Sequence, residues 1–211
     1  MSRLAARAAL AAGAAAVLAL GAAAWYAFRP APEGDVFAQC RTTVVAAGGA
    51  QIGGPFELTD QTGARVTDAQ VIDGPTLIYF GYTWCPDVCP FDVARMAEAT
   101  EILEDRGVMV RPVFVTVDPE RDTPETLLDF AAAHHPRMTA LTGTEAEIDA
   151  VKRAWRVYAA RAQGGDDEFY LVDHSTFTYL MAPGHGFLDV LRRELTSEEL
   201  ADRVQCFVER L

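Results

Sequence analysis

The feature that most constrains the fold is an apolar run that stops at a pair of cysteines. Residues Thr76 to Tyr82 read TLIYFGY behind Gly74-Pro75, a β-branched and aromatic segment with no polar alternation. Such a run is the signature of a strand buried on both faces. It leads directly into Cys85-Pro86-Asp87-Val88-Cys89-Pro90, after which Phe91, Ala94, Met96, Ala99 and Leu103 recur at helical spacing. Pro90 suits a first helical turn, where its missing N–H costs nothing. The pattern predicts a strand, a dicysteine loop and a helix in immediate succession.

The rest of the chain extends that unit. Val108 to Val117 reads as a second buried strand ending at Asp118-Pro119, and Thr123-Pro124-Glu125 opens a helix to about His134. Strand, helix and strand in that order form a parallel, right-handed β-α-β unit. Upstream, Phe56–Thr59 and Arg65–Thr67 flank Asp60-Gln61-Thr62-Gly63 as a small hairpin. Downstream come a brief strand at Thr139–Leu141, a helix over Glu145–Tyr158 and a loop at Gly164–Asp167. Strands are expected at Phe169–Val172, Phe177–Met181 and Phe187–Leu191, the last two joined by Pro183-Gly184-His185-Gly186. Ser197, with Glu198 and Glu199 behind it, starts a closing helix. The order predicts an α/β fold, a thioredoxin-like three-layer sandwich.

A different kind of segment precedes this domain. Ala8 to Phe28 carries no charge and is rich in Ala, Leu, Val and Gly, long enough to cross a bilayer core of about 30 Å. Arg3 and Arg7 precede it, Glu33 and Asp35 follow it, and Trp25-Tyr26 lie at its far end, which orients the N-terminus to the cytoplasm. No small-x-small cleavage site follows at the usual place, so the expectation is an uncleaved single-pass transmembrane helix rather than a signal peptide. The expected organisation is residues 1–29 as anchor, 30–53 as linker and 54–211 as the folded domain. Without an Arg/Ser-rich presequence, a bacterial inner membrane with the domain in the periplasm is favoured over a mitochondrial one.

All 30 acidic residues but only 15 of the 18 basic ones lie beyond Pro30, so that portion carries a formal charge of −15. Nucleic acid is therefore not an expected partner, and the charge serves solubility or encounter with a basic surface. An oxidising compartment leaves each of the four cysteines bonded, metal-bound or reactive. Cys40 follows Phe37-Ala38-Gln39 and is no lipid-attachment site; with Cys206 it can form a long-range disulfide.

Cys85 and Cys89 admit two readings, because three intervening residues allow both a disulfide and two thiolates on one metal. A helix N-terminus behind them favours the thiolate in either case. His174, in the polar turn Asp173-His174-Ser175 between two apolar strands, falls where thioredoxin-like folds face the dicysteine loop. A bare oxidoreductase does not require it. Two thiolates and an imidazole suit Cu(I) or Cu(II), whereas zinc usually takes a fourth protein ligand. Several other residues have simpler roles. Asp118, Arg121 and Asp122 fit a turn and capping network, or else partner docking or a supporting role at the site; Asp87 is a turn residue or an acidic neighbour of the metal loop. Met96 and Met181 fall in core patterns, and His134, His135 and His185 lie at a helix end and a hairpin turn.

The motifs GGPFELTDQTG, FGYTWCPDVCP, VTVDPERDTPE and DHSTFTYLMAPG, in this order over about Gly54 to Leu211, resemble the Sco/SenC copper proteins that assist assembly of the copper A centre of cytochrome c oxidase. The resemblance implies copper held by Cys85, Cys89 and His174 and delivery to the oxidase's copper A subunit. Other periplasmic copper chaperones or thiol reductants are further partners it suggests. Cys40 and Cys206 are outside that pattern. The alternative is a thiol-disulfide oxidoreductase in which Cys85 and Cys89 are redox-active and reduce cysteines of the oxidase subunit. A peroxidase-like enzyme fits less well, since it needs neither a second cysteine nor the histidine. No residue is assigned as catalytic in the strict sense.

Overall fold

The computed structural model describes residues 35–41, 52–164 and 169–211. The expected transmembrane helix, most of the linker and most of the Gly164–Asp167 loop lie outside the described residues. Among the described residues no helix is long and apolar enough to cross a membrane. The chain divides into two units, Met1–Val36 and Phe37–Leu211, and the second carries the fold.

Among the described residues of this unit nine strands and five helices follow one another: β1 Glu57–Asp60, β2 Arg65–Thr67, α1 Asp68–Val71, β3 Thr76–Gly81, α2 Val88–Asp105, β4 Arg111–Thr116, α3 Pro124–His134, β5 Thr139–Thr142, α4 Glu145–Trp155, β6 Ala159–Arg161, β7 Val172–His174, β8 Thr178–Ala182, β9 Gly186–Leu191 and α5 Ser197–Val208. Seven strands form one sheet in the order β2-β1-β5-β4-β3-β8-β9. β3, β4 and β5 are parallel, β8 and β9 return antiparallel beside β3, and β6 and β7 form a separate two-stranded sheet.

β3 lies between β4 and β8 with all six residues buried, which explains its unbroken apolar sequence. A central strand has no solvent face on which alternation could appear. The helices begin at strong local signals. Thr123 caps α3 by accepting from Thr126 N at 3.3 Å, with Pro124 in the first turn; Thr144 with Glu147, and Thr196 with Glu199, close capping boxes on α4 and α5. Each box satisfies backbone N–H groups that the helix itself leaves unpaired.

The helix after the cysteines begins at Val88, so Pro90 stands in its first turn as expected, and Cys89 does too. Three expectations are corrected. Phe91, counted in that helix's apolar face, is 70% exposed. α4 ends at Trp155 rather than Tyr158, because Arg156 turns left-handed at φ 56° and Val157 N closes on Lys152 O at 2.9 Å. That early stop frees 159–161 to pair with β7. The strand expected at Phe169–Val172 lies instead at Val172–His174 for the same reason.

Cys40 and Cys206 are joined by a disulfide with Cα atoms 5.7 Å apart, at the usual spacing for such bonds. Phe37 and Cys40 are buried, and the Phe37 ring lies 5.7 Å from that of Phe207 on α5. Arg41 Nε donates to Leu188 O at 3.1 Å.

Candidate metal centre

The C-terminal end of β3, the first turn of α2 and the end of β7 bring Cys85, Cys89 and His174 together. Their ligand atoms all lie within 4.8 Å of one another, the only such group of His, Cys, Asp or Glu donors among the described residues. Both cysteines are free thiols. Cys89 N donates to Cys85 Sγ at 3.4 Å, so the helix N-terminus points a backbone N–H at the sulfur as its sequence position suggested.

His174 is at the end of a strand, not in a turn. Its partner across β6–β7 is Ala159, and Ser175 N donates to Tyr158 O at 2.9 Å, so two strands hold the ring rather than a loop. Tyr82 accepts from Val172 N at 3.2 Å and ties β7 to the strand that leads to the cysteines. The imidazole sits edge-on between Tyr79 and Tyr82, with ring centroids 6.1 and 5.8 Å away. His174 Nδ1 lies 2.9 Å from Ser175 O. A carbonyl only accepts, so Nδ1 carries the proton and Nε2 presents its lone pair. That lone pair faces Cys89 Sγ at 3.1 Å.

Burial governs the proton affinities. It lowers the His174 pKa, against the opposing pull of the Ser175 carbonyl, and keeps the ring neutral. It also pushes the Cys89 thiol well up. The expectation that the helix N-terminus would favour the thiolate is thus reversed at Cys89, which is 1% exposed, because desolvation of a charged sulfur outweighs a partial dipole charge. A metal that bonds the sulfur supplies the missing compensation.

The strand is bare where the sulfur rests on it. A Cβ at Gly81 would lie 2.9 Å from Cys89 Sγ and 2.8 Å from Tyr79 Cε1, closer than such contacts allow.

The segment from Asp118 to Asp122 supports the site. Asp122 is fully buried and accepts from Thr83 N at 3.1 Å, Thr83 Oγ1 at 2.6 Å and Thr116 Oγ1 at 2.6 Å, fastening the residue two before Cys85 to the end of β4. Asp118 accepts from Arg121 Nε at 2.6 Å and Tyr170 Oη at 2.8 Å. The Arg121 guanidinium lies 3.6 Å from the Tyr170 ring centroid and 5.7 Å from that of Trp84, next to Cys85. Helix capping in this stretch belongs to Thr123 alone. Asp87 is exposed and stands at the N-cap of α2 without a side-chain capping bond.

Met96 and Met181 are core residues at 0% and 4% exposure. His134 Nδ1 bonds Phe130 O at 2.8 Å, buried His135 faces Glu104 at 3.3 Å, and His185 packs on Phe37. None joins the centre. Sequence reasoning missed Tyr79, Tyr82 and Ser175, and also Asp92 on α2, whose carboxylate accepts from the Tyr79 hydroxyl at 3.0 Å. Alternation along β3 places Tyr79 and Gly81 on one face, and the three-residue step from Cys89 to Asp92 places both on one side of α2; those were the available signals.

A family model described as SCO1/SenC matches residues 44–209. Protein SenC of Rhodobacter capsulatus is 50% identical over 204 residues, covering 97% of this chain and 91% of SenC. The crystal structure of Arabidopsis thaliana ScoI with copper bound superposes with a TM-score of 0.70 at 40% identity, over 75% of this chain and 99% of that one. BsSco, a member of the Sco family of cytochrome c oxidase assembly proteins in which a disulfide switch was identified, matches with a TM-score of 0.59 at 26% identity, over 74% and 92%. The chain spans about half the length of some mitochondrial relatives. From the thioredoxin-like architecture, the converged thiols and imidazole, and these matches, the chain belongs to the SCO1/SenC family.

Proposed function

We propose that this protein takes up one copper ion, as Cu(I), Cu(II) or both, through Cys85 Sγ, Cys89 Sγ and His174 Nε2, and delivers it to the copper A subunit of cytochrome c oxidase during assembly. The observation that carries the reading is the convergence of two free thiols on an imidazole whose Nε2 lone pair is left open by the Nδ1 bond to Ser175. The donor set fits the metal: soft sulfurs satisfy Cu(I), and the added nitrogen serves Cu(II). Three protein donors also leave room for an incoming ligand from an acceptor, as hand-over requires.

The surroundings suit a hand-over. Cys85 is more exposed than Cys89, 7% against 1%. Trp84 and Phe91, which flank the two cysteines, and Phe177, three residues beyond His174, are all exposed. Exposed aromatic side chains are the material of protein interfaces. These exposed rings suit the approach of a protein acceptor on this side, for which the oxidase, other periplasmic copper chaperones or thiol reductants are the proposed partners.

The membrane anchor at residues 1–29, linker 30–53 and domain 54–211 form part of this proposal, with the domain held in the periplasm at a bacterial inner membrane. The charge-free stretch from Ala8 to Phe28 and its basic N-terminal flank support it.

A second reading, dithiol-disulfide exchange on the oxidase subunit, is favoured by the proximity of the two reduced sulfurs. His174→Ala separates the two. Copper titration of the reduced variant is expected to show affinity lower by at least about 100-fold, beyond the loss typical of removing a partner that merely orients a ligand, while thiol exchange is largely retained. Unchanged stoichiometric binding would remove His174 from the site.

A further inference from the structure

Behind Cys89 runs a buried hydrogen-bonded chain that the proposed ligand set does not use. Tyr79 donates its hydroxyl proton to Asp92 Oδ2 at 3.0 Å, and the Tyr79 hydroxyl oxygen stands 4.0 Å from Cys89 Sγ. Tyr79 and Asp92 are both fully buried. Asp92 Oδ1 in turn accepts from Arg95 Nη1 at 2.9 Å, with Arg193 Nε 3.8 Å away. Arg95 Nη1 also donates to Arg193 O at 2.6 Å, and its Nε and Nη2 are buried without partners. A buried ion pair left partly unsatisfied costs stability that apolar side chains of similar size would not. Packing alone does not ask for it beside a ligand sulfur.

The proton inventory suggests what it does. A phenol has one proton to give, and here Asp92 holds it. The Cys89 thiol does not need that proton, because it can give its own to His174 Nε2 at 3.1 Å. A sulfur that ligates a metal does so as a thiolate, with lone pairs only, and becomes an acceptor. Rotation about the Tyr79 Cζ–Oη bond then redirects the hydroxyl from Asp92 to the sulfur, with no movement of the ring.

We propose that Tyr79 is a positioning residue for the Cys89 sulfur, a hydrogen-bond donor whose availability the Asp92–Arg95 pair limits, so that this pair sets how strongly Cys89 donates electron density to bound copper. The inference rests on the copper reading. A hydrogen bond to a ligand sulfur withdraws density from it, which moves sulfur-to-copper charge transfer to shorter wavelength and raises the metal's reduction potential.

The test loads Cu(II) onto the reduced, detergent-solubilised full chain and compares Asp92→Asn, Tyr79→Phe and the double variant with the parent by absorption spectroscopy and potentiometry. Asp92→Asn is expected to shift the charge-transfer band to shorter wavelength and raise the potential, since the amide competes less for the phenol proton. The double variant is expected to fall back to the position of Tyr79→Phe, because the shift acts through that hydroxyl. Should Asp92→Asn fail to fold with Arg95 unpaired, Asp92→Asn combined with Arg95→Leu makes the same comparison. Coincident bands in all variants, or an Asp92→Asn shift that survives without Tyr79, would overturn the inference. A parent protein that shows no sulfur-to-copper band but still binds Cu(I) stoichiometrically would overturn this inference and leave the copper reading standing; one that binds copper in neither oxidation state would overturn both.

Discussion

Cys89 and His174 are moved from their ordinary proton affinities chiefly by burial, and because one is an acid and the other a base the two shifts bracket a pH range. The Cys89 pKa is raised in the fold, so its contribution to stability is intact below the unfolded thiol value of about 8.5 and is lost as pH climbs toward the folded value. The His174 pKa is lowered, so its contribution is intact above about 6.5 and is lost as pH falls through the folded value. For these two groups, the reduced, metal-free protein is expected to be most stable between those limits. Denaturant midpoints measured across pH check this, and Cys89→Ser is expected to flatten the alkaline limb. An alkaline limb that persists unchanged in that variant would contradict the assignment. The convergence of Cys85, Cys89 and His174 was legible in the sequence, since two cysteines after an apolar strand and a histidine between late strands are local patterns. The direction of the Cys89 shift was not legible, because it depends on Gly81 and Tyr79 closing over the sulfur from a neighbouring strand.

At the scale of elements, the dicysteine loop is held by β4's trailing segment more than by its own turn. Asp122 accepts three hydrogen bonds from Thr83 and Thr116, and among the described residues no other carboxylate bonds these groups. Asp122→Ala is expected to lose about 3 kcal/mol of stability, mostly from donors left buried and unpaired, and to weaken copper binding by loosening the loop before Cys85. Thermal or denaturant unfolding of the metal-free variant reads the first effect, and a copper titration the second; normal stability would show that water replaces the carboxylate without cost. The start of α3 was readable from Thr123 and that of α5 from Ser197 with its acidic first turn, whereas Thr144 and Thr196, which cap α4 and α5, had not been singled out. The boundaries that failed here are linked: α4 stops at the left-handed turn of Arg156, and the freed 159–161 pair with 172–174, which moves β7 toward His174, a long-range pairing that local pattern does not carry.

For the molecule as a whole, the Cys40–Cys206 bond closes a separation of 166 residues and fastens the segment from Phe37 to Arg41 to α5. In the chain-entropy account a loop of that length stabilises by roughly 5 kcal/mol. Replacing both cysteines by serine is therefore expected to lower the unfolding midpoint strongly while leaving copper stoichiometry unchanged, since neither sulfur belongs to the centre; unfolding and copper titration on the same samples separate the two effects. Spacing alone made this pairing possible, and only the path of the chain from Phe37 to α5 brings the sulfurs together. The central claim is that two sulfurs and one imidazole from distant segments hold the same ion. X-ray absorption at the copper edge on the stoichiometrically loaded protein tests it most directly. The account predicts two sulfur neighbours and one imidazole nitrogen, with the imidazole signal absent in His174→Ala; a first shell of oxygen and nitrogen alone, or an imidazole signal that survives that substitution, would contradict it.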